Sequence, residues 1–570
     1  MHRGKRVAAL VASLAVAVSV AACGQDLPPS AVEGTQVTVA WSGPLTSTNP
    51  ASVLGQGPGN LDVAAMTRSR FGAVVKGGFV PDPSFGAVKV LDQKPFTVRY
   101  DLAEPDWSDG VPLDAADLLL AWIAGTDRRS GFQTLPGGLA QGDSLVQVDE
   151  FGRAITVSFR QPVRDWSSAL EPTVPAHVVG RLAFGVEDPM EAKHRLIEVI
   201  RDRDSQALIK VAKTWNEAFS LKPGKAPARE LLLSSGPYVV DEVGKVKDGG
   251  QRVSLLANSA YVGVHAPKVA RIDLVQTPDG RKLAALGATA DVIELPPTRK
   301  NWEAVHELER RDYTSTPTND GSLWMLALRT DTGLFKRQPA RAAFLRSVPR
   351  EELVKAGAGP WGGVFESTDM LLSAPGGDAA EVIREDAKFK ESLGSAEDPA
   401  VELANAGLSR GTTVCVGYDA RDAFAQAAFR ALGPGMAEAG WAIRDCGRSG
   451  FSPTAKGDWQ AMLVRAPVPV TTLELSLLWG GSPALNLTGL ASPGRDGMIA
   501  RLDRTTDIYA ARDLLGKIER SIVDDAIAVP LAMNPVVVVS SPHVTGVAVQ
   551  PGPAAALTSS AAAWSVVPGK

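Results

Sequence analysis

The sequence predicts an α/β protein of several lobes that works outside the cytoplasmic membrane, and three observations carry this expectation. A chain of 570 residues is too long for one hydrophobic core, so two to four lobes are expected. The segment Thr412-Thr-Val-Cys-Val-Gly-Tyr418 alternates like a strand. Phe424, Ala427, Phe429, Leu432 and Met436 then recur at helical spacing, and Trp441 to Cys446 reads as a second strand. Such a βαβ unit implies parallel strands. The chain also begins with Arg3, Lys5 and Arg6, followed by an uncharged run from Val7 to Ala22. That run is short for a membrane span and right for the apolar region of a signal peptide.

Bulk composition narrows the function classes. Hydrophobic residues at 45% and charged residues at 21% describe a folded globular chain. A formal charge of −4 provides no basic footprint for nucleic acid. The apolar run closes on Val20-Ala-Ala-Cys23, which resembles the lipobox of bacterial lipoproteins. The resemblance implies that Cys23 is acylated and becomes the mature N-terminus. Residues 1–22 are then the signal peptide and 23–35, with Pro28 and Pro29, a lipidated tether. Later apolar stretches such as Val536 to Ser541 are strand-sized, well short of the ~18 residues a spanning helix needs. The expected location is extracytoplasmic, anchored to the membrane by lipid.

The next elements follow in order. Gln36 to Trp41 alternates as a strand and turns at Ser42-Gly43-Pro44. Leu61 to Val75 reads as helical, and Phe96 to Leu102 as a strand. Asp106-Trp-Ser-Asp-Gly-Val-Pro-Leu-Asp-Ala-Ala-Asp117 then combines a tight turn at Ser108-Asp109-Gly110 with a helix start. Asp114 or its predecessor caps that helix, and Asp117 sits in the first turn, where the dipole favours an acid.

This string resembles the signature of the family 5 extracellular solute-binding proteins, the receptors of peptide, nickel and related ABC importers. The resemblance continues through Ser235-Gly-Pro-Tyr238, then Asn258, Tyr261 and Pro267-Lys268. Further matches are Gly287 to Asp291, Arg341-Ala-Ala343, Arg350-Glu-Glu-Leu353, Pro399 to Gly407 and Asp525 to Pro530. Pro349 stands where the family usually carries aspartate. The resemblance implies a periplasmic-binding-protein-like α/β fold: two lobes joined by a hinge, with an extra inserted lobe. Lobe I would comprise 36–75, 234–310 and 528–570, lobe II 76–233, and lobe III 311–527.

A ligand would then sit between lobes I and III, and the partners would be a peptide or other small solute and an ABC permease with its ATPase. The resemblance implies no enzyme activity, cofactor or metal. Where peptide receptors of the family carry an acid for the α-ammonium group, this chain has Arg465-Ala466-Pro-Val-Pro-Val470, which suits an anionic or polyhydroxyl ligand better. Trp41, Ser42, Arg465, Ala466 and Trp479 are the candidate ligand-binding residues. Cys415 and Cys446 pair as a disulfide, or else remain two buried thiols; a bond across their loop contributes roughly 3–4 kcal/mol. Gly407-Leu-Ser-Arg-Gly411 matches a nucleophile pattern, but a helix precedes it and a strand follows, the reverse of an elbow. The departures at Pro349 and Arg465 leave a second reading open: an envelope lipoprotein that keeps the fold as a regulator or scaffold without transport.

Overall fold

The computed structural model describes residues 27–41, 43–75, 78–134, 139, 144–149, 152–222, 225–246, 250–276, 290–331, 333–376, 378–453, 457–481, 486–552 and 557–567. Cys23, Ser42 and the stretch 287–289 lie outside them.

Strand β1 (Val32–Trp41) begins earlier than its alternation predicts. The expected tether up to residue 35 is therefore a correction. Ser30 Oγ–H donates to the Pro267 carbonyl at 2.8 Å, and the Val32 N–H donates to the Lys268 carbonyl at 3.0 Å. Gly34, at φ +77°, supplies the irregularity that lets Val32 pair ahead of Gln36.

The predicted helix of 61–75 is in fact Pro58–Thr67, followed by the hairpin β2 (Gly72–Val75) and β3 (Gly78–Pro81). Arg68 ends it. The residue leaves helical geometry, and its buried guanidinium donates to the carbonyls of Thr48, Thr67, Thr173 and Leu233. Nothing local in the sequence marks this stop.

Strands β4 (Gly86–Gln93), β5 (Phe96–Leu102), β6 (Leu145–Val148) and β7 (Ala154–Phe159) form an antiparallel sheet in the order β4-β5-β7-β6. Its core gathers Phe96, Tyr100, Trp107, Leu118, Leu196 and Trp215. The recognised motif builds this core. Asp114 caps the helix Ala115–Thr126, and Asp117 completes the capping box. The Asp117 carboxylate also accepts from Trp107 Nε1 at 3.0 Å and from the Ala176 N–H at 2.8 Å. Lys193, almost fully buried, bridges Asp114 and Asp117 at 3.1 Å each. These acids are structural.

The remaining long strands are β8 (Tyr238–Lys245), β9 (Gln251–Ala257), β10 (Val269–Gln276), β11 (Val292–Leu295), β12 (Thr314–Leu328), β13 (Thr412–Gly417), β14 (Trp441–Asp445), β15 (Ala461–Pro467) and β16 (Ala528–Ser540). With β1 they make one ten-stranded sheet, ordered β14-β13-β15-β12-β16-β11-β1-β10-β9-β8. The short pair β17 (Val544–Thr545) and β18 (Ser565–Val566) lies apart from it.

Two strands join the halves of this sheet. The beginning of β12 lies against the end of β16, Thr314 opposite Ser540, where β16 also pairs with β11. The far half of β12 pairs with β15 and with the start of β16. One face of the sheet carries a single apolar cluster across both halves, including Ala40, Leu295, Val305, Trp324, Phe424 and Trp441. The opposite face carries two separate clusters: Trp41, Tyr238 and Ile272 in one, Met325, Met462 and Ile518 in the other.

Cys415 and Cys446 form a disulfide with a Cα–Cα distance of 5.7 Å. Cys415 lies on β13 opposite Arg444 of the parallel β14, and Cys446 directly follows that strand.

Candidate functional site

The β12–β16 ladder breaks at mid-length. Pairing shifts between Asn319 and Leu323, and Gly321 there adopts φ +72°. The freed backbone is held by side chains. Asn319 Oδ1 accepts from the Gly321 N–H at 3.1 Å, and Asp320 Oδ1 from the Ser322 N–H at 2.9 Å. The other Asp320 oxygen accepts from Asn534 Nδ2 at 2.8 Å and from Arg465 Nη1 at 3.4 Å. Asn534 Oδ1 in turn accepts from Trp324 Nε1 at 2.9 Å, so both strands are tied across the break. Trp324 stacks on Phe424 at 4.5 Å, and Phe424 stacks on Phe365 at 5.1 Å.

A second polar group faces this break. Trp41 Nε1 donates to Asp62 Oδ2 at 2.9 Å. Burial pushes the Asp62 carboxyl up to about 6, against the pull of the Trp41 and Leu557 hydrogen bonds. Glu294 on β11 is pushed up to about 7, first by burial and then by the charges of Asp62 and Asp320. By strand alternation Glu294 shares the face of Val292, as Trp41 shares that of Val39, both members of the cluster on the divided face. Glu294 thus senses two carboxylates from distant parts of the chain. This environment disfavours the ionised form of Glu294 and would be relieved by a cationic group.

The sequence candidates fall in different places. Trp41 is buried and belongs to this group through Asp62. Arg465 lies at the break, half-exposed and paired with Asp320, so its charge is already engaged. Ala466 and Trp479 lie elsewhere. Both are buried in the cluster around Met325 and Met462, on the sheet face away from Arg465, and among the described residues Trp479 Nε1 has no hydrogen-bond partner. Ser42 lies outside the described residues. The stretch 465–470 itself has no acid, but Asp320 pairs with Arg465, and Glu294 is influenced electrostatically by Asp320 and Asp62. No sequence signal joins those three acids, because only the sheet order brings them together.

A sheet in two halves spanned by two long strands, with a further α/β unit and polar side chains at the crossing, is the architecture of an extracytoplasmic solute-binding protein. The profile of the bacterial extracellular solute-binding proteins, family 5 (middle part), matches residues 96–407, and the chain belongs to that family. Members of this family bind peptides or small solutes and deliver them to ABC permeases; they are binding proteins without catalysis.

An uncharacterized lipoprotein of Mycobacterium tuberculosis is 24% identical over 558 residues, covering 93% of each chain. Among solved structures, a periplasmic EDTA-binding protein superposes with a TM-score of 0.77 at 18% identity, covering 96% of this chain and 98% of that one. NikZ of Campylobacter jejuni, solved with Ni(L-His), gives 0.68 at 13% identity, with 93% and 99% covered. These likenesses concern the fold.

Proposed function

We propose that the protein is the substrate-binding lipoprotein of an ABC importer, anchored through Cys23, and that it captures a small solute between the two halves of the long sheet. The lobes proposed are those the family resemblance implies: 36–75 with 234–310 and 528–570, the inserted 76–233, and 311–527. The observation that carries the reading is the pair of strands β12 and β16, whose ladder is interrupted at Asn319–Leu323 and shifts again between Trp324 and Met325. Rotation concentrated at such a break moves one half against the other, as hinge closure requires.

The polar groups at the break favour a solute that brings a cationic or proton-donating group, with Trp41, Asp62, Glu294 and Asp320 as first contacts. Calorimetry with a pooled peptide library and its N-acetylated copy tests this. Binding that weakens on acetylation supports an ammonium contact at these carboxylates. Equal binding of both pools assigns recognition to other parts of the solute. If neither peptides nor metal chelates raise the melting temperature, capture itself fails, because any ligand of the folded state stabilises it.

One observation favours the second reading, an envelope lipoprotein without transport. Pro349 caps the helix Arg350–Ala358 with no side-chain hydrogen bond, where the family usually has aspartate. Normal solute uptake in a strain lacking the protein would support that reading.

A further inference from the structure

We propose that a valine-lined groove beside the N-terminus is a membrane-docking surface, occupied by the anionic phospholipid surface that carries the protein's own anchor. The groove has a volume of about 570 Å³ and lies between the start of β1, the 264–268 segment and the C-terminal stretch 562–566. Its apolar lining includes Val32, Val264 and Val566, and its charged or titratable lining residues are Lys268 and His265, with no acid. Val32 is 61% exposed and Val264 64%, and the neighbouring Val262 is 63% exposed. Solvent-facing valines grouped in this way beside Lys268 form an apolar patch with a cation at its rim. The membrane surface complements both features: its interface accepts apolar side chains, and anionic headgroups accept the cation.

Chain length identifies the occupant. The body is held from Leu27 onward: Leu27 packs on the cluster around Tyr238 and Trp564, and Ser30, itself a lining residue, is bonded to Pro267. Leu27 lies four positions after Cys23, a span of four Cα–Cα steps. Fully extended they reach roughly 14 Å. A compact body of this size has a radius of gyration of roughly 25 Å. So short a leash cannot turn the opposite side of the body to the bilayer, and the groove rim stays close to the headgroups. The inference rests on the reading of Cys23 as the acylated residue.

The experiment uses the full lipidated protein in vesicles of phosphatidylglycerol and phosphatidylcholine. The only cysteines beyond Cys23 are bonded to each other, so single Val264→Cys, Met190→Cys and Ile508→Cys variants accept one fluorophore each. Met190 and Ile508 are exposed positions in other parts of the fold. Flotation first reports attachment, and headgroup spin-labelled lipids then report proximity. The docking surface predicts that the label at 264 loses most of its emission while those at 190 and 508 keep theirs. It further predicts that Lys268→Glu, or vesicles of phosphatidylcholine alone, restores emission at 264. Floated protein with equal quenching at all three positions overturns docking and leaves the anchor standing. Quenching at 264 that ignores both Lys268→Glu and lipid charge overturns the electrostatic part. Protein that does not float overturns the anchor, and the docking surface with it.

Discussion

Glu294→Gln isolates the electrostatic cost of the junction. The folded carboxyl lies at about 7, above its ordinary 4.5, because it is buried and faces Asp62 and Asp320. A group raised in the folded state stabilises the fold below its unfolded pKa, and that stability is lost as pH rises through the folded value. For Glu294 the window runs from 4.5 to about 7. A shift of this size corresponds to about 3 kcal/mol at most, and solvent access at the junction reduces it to about 1–3 kcal/mol.

Glutamine keeps the shape and removes the titration. The variant should match the wild type at pH 4.5 and exceed it in stability at pH 8. In a cooperative unit of ordinary domain size each kcal/mol moves the melting temperature by about 2–4 °C, so the gap at pH 8 is several degrees. Differential scanning calorimetry across pH 4.5–8 measures it. A constant gap at all pH values, or a wild type that gains on the variant as pH rises, would refute the reasoning. A cationic solute added at pH 8 should narrow the gap by supplying the missing countercharge.

Three further outcomes are expected. Asp117→Ala leaves buried Lys193 with one carboxylate and strips a partner from Trp107, so the unit around β4–β7 should lose about 3–5 kcal/mol and become protease-sensitive between residues 71 and 219; an unchanged melting profile would sink this. Thiol labelling of the unfolded, unreduced chain should detect no free sulfhydryl at Cys415 or Cys446, and reduction should expose two. Cys23→Ala should release the protein from membranes or leave its precursor uncleaved, whereas normal processing with membrane retention would contradict the lipidation of Cys23.

What could be read from the sequence was local. Asp109, Asp114 and Asp117 were legible as turn and capping residues because such roles depend on neighbours a few positions away, and Asp114 and Asp117 form the capping box. The βαβ unit between Thr412 and Asp445 was legible because its two periodicities are written into short windows. Helix termination at Thr67 was not, since Arg68 finds the carbonyls of Thr173 and Leu233 on segments far along the chain. The junction carboxylates were invisible for the same reason. Trp479 is a further case: a tryptophan beside two glycines gives no local sign that it packs with Met325, Met462 and Ile518, which come from distant parts of the chain.

The position of β16 constrains how the protein is assembled. The strand lies between β12 and β11 at the centre of the sheet, yet it spans residues 528–540 of 570. A chain delivered N-terminus first can build the β4–β7 unit and pair β1 with β10 early. It cannot join the two halves of the long sheet until almost all of its length has emerged. Until then β11 and β12 each present an unpaired edge, the kind of surface that recruits other chains. Truncation before residue 528 should therefore yield two incomplete half-sheets prone to association, and an agent that delays release of the last segment should act as an aggregation trigger even though it touches no folded residue.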